Sequence, residues 1–229
     1  MIGVICAMAV EVQGLKTAME NVKIYNYGRM EFTAGTIGNN QVVTVECGVG
    51  KVNAAMCAQI MIDRFSPDVV INSGVAGAVS RDVKIYDMVI ATEVLQHDMN
   101  VKALGDPQGE ITFNDENRIY FPCDEKVVQT LEKACDKKVF KGRIASGDMF
   151  VSEVNQRLQI NKDFNALACE MEGGAIGQVC YRNDVPFCVF RVISDDVDSN
   201  EGEDFRTFCE KASRISIKAM KNFMEEYKI

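Results

Sequence analysis

The 229-residue chain predicts an α/β fold: one central, largely buried sheet flanked by helices. Three observations carry this. Short β-branched apolar runs alternate with helix-period segments along the whole length. One run, VPFCVFRVISD, is nearly continuously apolar, the pattern of a strand covered on both faces. No Pro/Gly/Ser linker, charge block or repeat divides the sequence, so a single domain over 1–229 is expected.

Taken in order, GVICAMA reads as a strand and EVQGLKTAMENV as the amphipathic helix after it. KIYNYGRMEFTAGTIGNNQVVTVECG alternates like a meander, with turn chemistry at Gly28 and at Gly38-Asn39-Asn40. KVNAAMCAQIMIDRF has helix-period apolar residues and ends before Ser66-Pro67. DVVINSG and DMVIATEVL are strand-like. The more polar stretch from Gln96 to about Asp124 reads as a long loop, and loops of that length are usually functional or mobile. EKVVQTLEKAC is helical, VFKGRIASGD strand-like, and NALACEME enters another strand. GGAIGQVCYRND looks like a buried helix with small residues on its packing face. After VPFCVFRVISD a last helix runs from about Asp204 to Tyr227.

Composition narrows the function. A net charge of −8 and a pI near 4.9 argue against nucleic acid and anionic membrane surfaces, which need a basic field. No segment reaches the roughly 20 apolar residues of a bilayer span. Met1 to Val10 lacks a basic flank and meets Glu11, so it reads as a core strand and not a signal peptide. The nine cysteines are odd in number and form no C-x-x-C pair, and His97 is the one histidine. Buried thiols in a reducing cytoplasm fit better than disulfides or zinc ligation.

The glycine-rich pieces fail as phosphate motifs. ECGVGKVN is preceded by valine at position 45 and has valine at position 52, where a phosphate-cradling loop needs glycine and Ser or Thr. Its dinucleotide reading would put the third glycine on Asn53. The acids say more. Glu11 follows the first strand, Glu170 and Glu172 close a later one, and Asp195 ends the last apolar run with Arg191 four residues back. If strand geometry persists through Met171, both glutamates share a side. Any one of these acids taken alone reads first as a helix cap or a solvated loop residue. Four at strand ends point to a ligand crevice.

GVICAMAVEV, GVGKVNAA, VINSGVAGAV, SGDMFV, CEMEGGAIGQVC and VPFCVFRVISDDVD resemble, in order and spacing, the 5′-methylthioadenosine/S-adenosylhomocysteine nucleosidases of the nucleoside phosphorylase superfamily. The resemblance covers nearly the whole chain and is weakest from Gln96 to Asp124. It implies a mixed central sheet in a nucleoside phosphorylase-like fold, a cytoplasmic homodimer in methionine salvage, adenine nucleosides as substrates, and no cofactor or metal. It implies Glu11 as the base for the attacking water and Asp195 as the acid that protonates the purine. Glu172 would hold the ribose hydroxyls, helped by the Met171 backbone. Arg191 and Ser194 would support the water and orient Asp195. Phe150 and Val151 would pack on the purine, Gly77 would line the ribose pocket, Met8 would contact substrate, and Phe205 would close over it.

Those residue types suit the reaction. Breaking an N-glycosidic bond makes a cationic ribosyl group and a poor anionic leaving group, so an acid and a base on opposite faces are needed. Glu170 stays outside the site, as a supporting or simply satisfied acid. Departures from the family pattern are Ala9 and Val10 before Glu11, Val75 where some members carry serine, and Asp106-Pro107 where some use an aromatic over the 5′ pocket. His97 reads as a structural or interface hydrogen-bonding residue. Three other functions compete: phosphorolysis on the same fold, hydrolysis of futalosine-type nucleosides, and non-catalytic nucleoside binding. Glu11 would repel phosphate at the first strand's end, which favours hydrolysis over phosphorolysis.

Overall fold

The computed structural model describes residues 1–198 and 203–228, the side chains of 203–207 excepted. It begins with β1 (Ile2–Cys6), α1 (Ala9–Ala18), β2 (Glu20–Tyr27), β3 (Met30–Ile37), β4 (Asn40–Glu46) and α2 (Lys51–Phe65). Next come β5 (Val69–Ala78), β6 (Met88–Gln96), the short β7 (Ile111–Thr112), β8 (Asn117–Arg118) and β9 (Phe121–Pro122), then α3 (Glu125–Ala134). The chain closes with β10 (Val139–Ser146), α4 (Val154–Phe164), β11 (Ala166–Glu170), α5 (Gly173–Arg182), β12 (Phe187–Asp195) and α6 (Glu203–Glu226).

The main sheet is mixed, in the order β11-β10-β6-β12-β5-β1-β4-β3-β2 with β9 beside β6. It also closes on itself. β5 runs parallel to β12, yet its last residues Gly77 and Ala78 pair antiparallel with Cys169 and Ala168 of β11. With β12–β6, β6–β10 and β10–β11 this makes a ring of five strands. The small-residue end of β5, GVAGA, is what lets one strand bend between two partners.

Successive β-strand residues face opposite sides, and the two sides are two cores. Val70, Val89 and Val189 pack with Ala58 and Met61 of α2 and Ile176 of α5. Their neighbours Ile71, Ile90 and Phe190 pack with Leu15 of α1, Leu131 of α3 and Phe223 of α6. This is why VPFCVFRVISD shows no polar alternation. Truncating a fully buried ring such as Phe190 to alanine costs about 3–5 kcal/mol.

Several boundaries differ from the sequence reading. The first helix stops at Ala18, and Glu20 already starts β2. Gly28 and Arg29 both take positive φ (57° and 64°), the two-residue hairpin turn that matches strand twist. The stretch after Gln96 is not loop throughout: it holds a 3-10 turn at Lys102–Leu104 and the strands β7 to β9. α4 is not among the elements expected from the sequence, since VNQRLQINKDF offers only four apolar residues. The strand ends at Glu170, so Glu172 is reached by a turn and not by strand alternation.

Candidate active site

The ring closure decides where the site lies. Gly77 of β5 is registered with both Asp195 of β12 and Cys169 of β11. The ends of three strands distant in sequence therefore meet at one point. A cavity of about 240 Å³ opens there. Glu11, Glu172 and Asp195 line it, with Glu170 between them. Met8, Gly77, Phe150 and Met171 also line it, and Val151 lines a small adjoining recess. No Lys or Arg is among the described residues that line the cavity.

Glu11 sits in the first turn of α1 and is buried. Its Oε2 accepts the Ala7 and Met8 N–H groups (3.0 and 2.9 Å), and its Oε1 accepts the Val75 N–H (3.0 Å). A carboxylate has about four acceptor positions, so one remains, on Oε1, for a water proton. Burial pushes the Glu11 carboxyl up, opposed by the Arg191 charge and the three N–H donors. Such a group is a better base than a solvated carboxylate and still ionisable. Gly74 makes the approach possible: a Cβ there would lie 2.3 Å from Glu11 Oε1 and 2.9 Å from Arg191 Nη1.

Arg191, fully buried in mid-β12, does not line the cavity. Its Nη2 donates to Glu170 Oε2 and to Asn72 Oδ1, and it stands 3.8 Å from Glu172 Oε2. Three carboxylates (Glu11, Glu170, Glu172) thus share one guanidinium, and Glu170 takes most of it. Burial would push Glu170 up, but Arg191 and the Ser146 hydroxyl outweigh it and hold Glu170 low. Glu170 also accepts the Glu172 and Gly173 N–H groups, so it fixes the start of α5. It is a buried structural acid at the heart of the site, which the sequence alone left undecided.

Glu172 bears the consequence. Burial, then the neighbouring Glu170 charge, push it up to about 7 against Arg191 and the Gly50 N–H. The Gly50 N–H donates to its Oε1 at 2.9 Å, leaving acceptor positions for two hydroxyls of a ligand. Gly50 adopts φ 98°, a left-handed conformation that favours glycine. The GVG segment that failed as a phosphate loop therefore serves to hold a carboxylate. A polar staple keeps it in place: Asp148 Oδ1 accepts the Lys51 N–H, while Asp98 accepts the Lys51 Nζ and the Asp148 N–H. The same staple sets the position of Phe150, two residues on.

Asp195 is buried at the end of β12. Ser194 Oγ donates to its Oδ1 (2.8 Å) and lies 3.3 Å from the Ala76 carbonyl. Arg157 Nη2 pairs with its Oδ2. Sequence reasoning missed Arg157 because it lies on the unassigned α4. Ser194, like Arg191, stands behind the cavity wall. Phe205 lies outside the described side chains. His97 is buried and packed on Gly147, and among the described residues its Nε2 has no hydrogen-bond partner. All nine cysteines are free, and among the described residues no cluster of His, Cys, Asp and Glu could hold a metal. Cys169 lines the cavity, but burial pushes its thiol up to about 12, so it is an apolar wall and not a nucleophile.

The family model of the phosphorylase superfamily matches residues 1–225. A Staphylococcus haemolyticus protein named 5′-methylthioadenosine/S-adenosylhomocysteine nucleosidase is 35% identical over 220 residues, covering 94% of this chain and 95% of its own. The Neisseria meningitidis nucleosidase of that name, solved in complex with methylthio-immucillin-A, superposes with a TM-score of 0.93 at 33% identity and 99% coverage of both chains. Helicobacter pylori futalosine hydrolase gives 0.92 at 31% identity, covering 99% of this chain and 97% of its own.

Proposed function

The chain belongs to the phosphorylase superfamily and, within it, to the 5′-methylthioadenosine/S-adenosylhomocysteine nucleosidases; on that premise we propose how its residues divide the work. The enzyme is an N-glycosyl hydrolase that releases adenine from methylthioadenosine and adenosylhomocysteine. Glu11 takes a proton from water through its remaining Oε1 position. Asp195 protonates the purine as the C1′–N9 bond breaks. Glu172 accepts the ribose hydroxyls, and the excess of carboxylate over guanidinium favours the cationic ribosyl group. Phe150 and Val151 pack on the base, Gly77 and the Met171 backbone border the sugar, and Met8 meets the 5′ side. Arg191 and Ser194 orient the acids from behind.

The observation that carries this reading is the meeting of Glu11, Glu172 and Asp195 in one cavity with no cation in its described lining. That lining repels phosphate and so favours water as the nucleophile. The test is adenine release from methylthioadenosine with and without phosphate, repeated with Glu11→Gln and Asp195→Asn. Equal release in both buffers, lost in the folded variants, supports the reading. Release only with phosphate overturns it. A second reading, futalosine hydrolysis, has the H. pylori structure in its favour, and futalosine as substrate in the same assay decides between them.

The enzyme works as a homodimer in the cytoplasm, recovering the methylthio sugar for methionine. Val49, Val52, Met56, Met149, Phe150 and Val154 are exposed apolar residues on two segments that the Lys51–Asp148 contact joins beside the cavity, a surface suited to a partner subunit. The free thiols suit a reducing compartment. Light scattering of wild type and Val52→Asp tests the dimer: the variant should run as a monomer.

A further inference from the structure

The buried pair between Arg157 and Asp195 serves a purpose beyond holding α4 in place. Arg157 is almost completely buried on α4, and each Nη group has a distinct task. Nη1 donates to the Asp196 carbonyl at 2.8 Å and lies 3.4 Å from the Ala78 carbonyl, at the ends of β12 and β5. Nη2 contacts Asp195 Oδ2. Nε is buried with no hydrogen-bond partner among the described residues. A guanidinium aimed at one carboxylate and at the carbonyls closing two strands is not placed for packing alone.

We infer that Arg157 is a positioning residue for the purine acid: it pins Oδ2 of Asp195, leaves the proton to Oδ1, and compensates the carboxylate that forms as that proton departs. This rests on the reading of Asp195 as the acid. When Asp195 carries the proton, its Oδ1–H donates to Ser194 Oγ or to the purine, and the Ser194 hydroxyl turns to the Ala76 carbonyl. When the proton has gone to the purine nitrogen, the C1′–N9 electron pair leaves with the base and Asp195 is a carboxylate. Ser194 then turns its hydrogen to Oδ1. Arg157 stays on Oδ2 in both states. A buried carboxylate without such a partner is strongly disfavoured, so the guanidinium stabilises the state reached as the bond breaks.

The experiment compares two leaving groups on the same sugar. Methylthioadenosine needs its base protonated; a 4-nitrophenyl 5-methylthioriboside does not, because nitrophenolate departs as the anion. Arg157→Met, verified as folded, is expected to lose about 100-fold in kcat on methylthioadenosine with KM little changed, and less than about threefold on the nitrophenyl glycoside. Arg157→Lys, which keeps the charge, should show the same selectivity with a smaller loss. It serves as the test if the Met variant does not fold. Equal losses on both substrates, or none on either, overturn the inference. Asp195→Asn run alongside separates the premise: it should spare the nitrophenyl substrate. If it does not, the acid assignment fails, and the role of Arg157 fails with it.

Discussion

Replacing Glu172 with glutamine should stabilise the folded protein at alkaline pH and do nothing at acid pH. In the native site this carboxyl is buried beside Glu170, and those two effects push it from 4.5 to about 7. The folded protein therefore holds the proton more tightly than the unfolded chain does. Between those two values the native state binds more protons than the unfolded state, so stability falls as pH rises. Below about 4 the group is neutral in both states and contributes nothing. Above about 7 the full cost applies: the interval from 4.5 to about 7, at ~1.4 kcal/mol per tenfold, is about 3 kcal/mol. Glutamine keeps an oxygen for the Gly50 N–H and has no charge to bury. Urea unfolding of wild type and Glu172→Gln from pH 4 to 8.5 reads this directly, with any constant packing offset cancelled against the pH 4 pair. The variant should gain up to about 3 kcal/mol across that range while losing ribose binding. A difference that stays flat with pH would refute the argument that Glu172 stores the site's unfavourable charge.

Four further outcomes follow from the same geometry. Glu11→Gln should lower kcat about 10²- to 10⁴-fold in adenine release. In the wild type, activity should fall on acidification at a pH above the ordinary carboxylate range, because burial raises Glu11. Gly74→Ala places a methyl 2.3 Å from Glu11 Oε1 and should cost about 100-fold or more in kcat, read against an unchanged far-ultraviolet spectrum. Glu170→Gln removes the nearest of Arg191's charged partners, leaving Glu172 at 3.8 Å, and should lower stability by about 3 kcal/mol in urea unfolding at neutral pH.

The α/β order was legible because periodicity is local. Strands such as DMVIATEVL and helices such as KVNAAMCAQIMIDRF carry their burial pattern in neighbouring residues. α4 was not, since VNQRLQINKDF buries little apolar surface of its own, and its Arg157 vanished with it. Glu11, Glu172 and Asp195 could be marked as strand-end acids, and motif resemblance could give them roles. Glu170 could not be placed, because its part depends on which acid the single buried guanidinium chooses.

The sequence by itself therefore determined the kind of fold and the residues with chemistry to offer, through patterns that a few neighbours can express. Only the tertiary structure decided their relations. The second pairing of Gly77 and Ala78 with β11 joins segments about 90 residues apart and carries Cys169, Gly77 and Asp195 into one row. The distribution of charge among Glu11, Glu170, Glu172 and Arg191 depends on distances of a few ångströms in a dry interior, where Coulomb energies are large and fall off with separation. No spacing along the chain encodes those distances. They exist only once the ring of strands has closed.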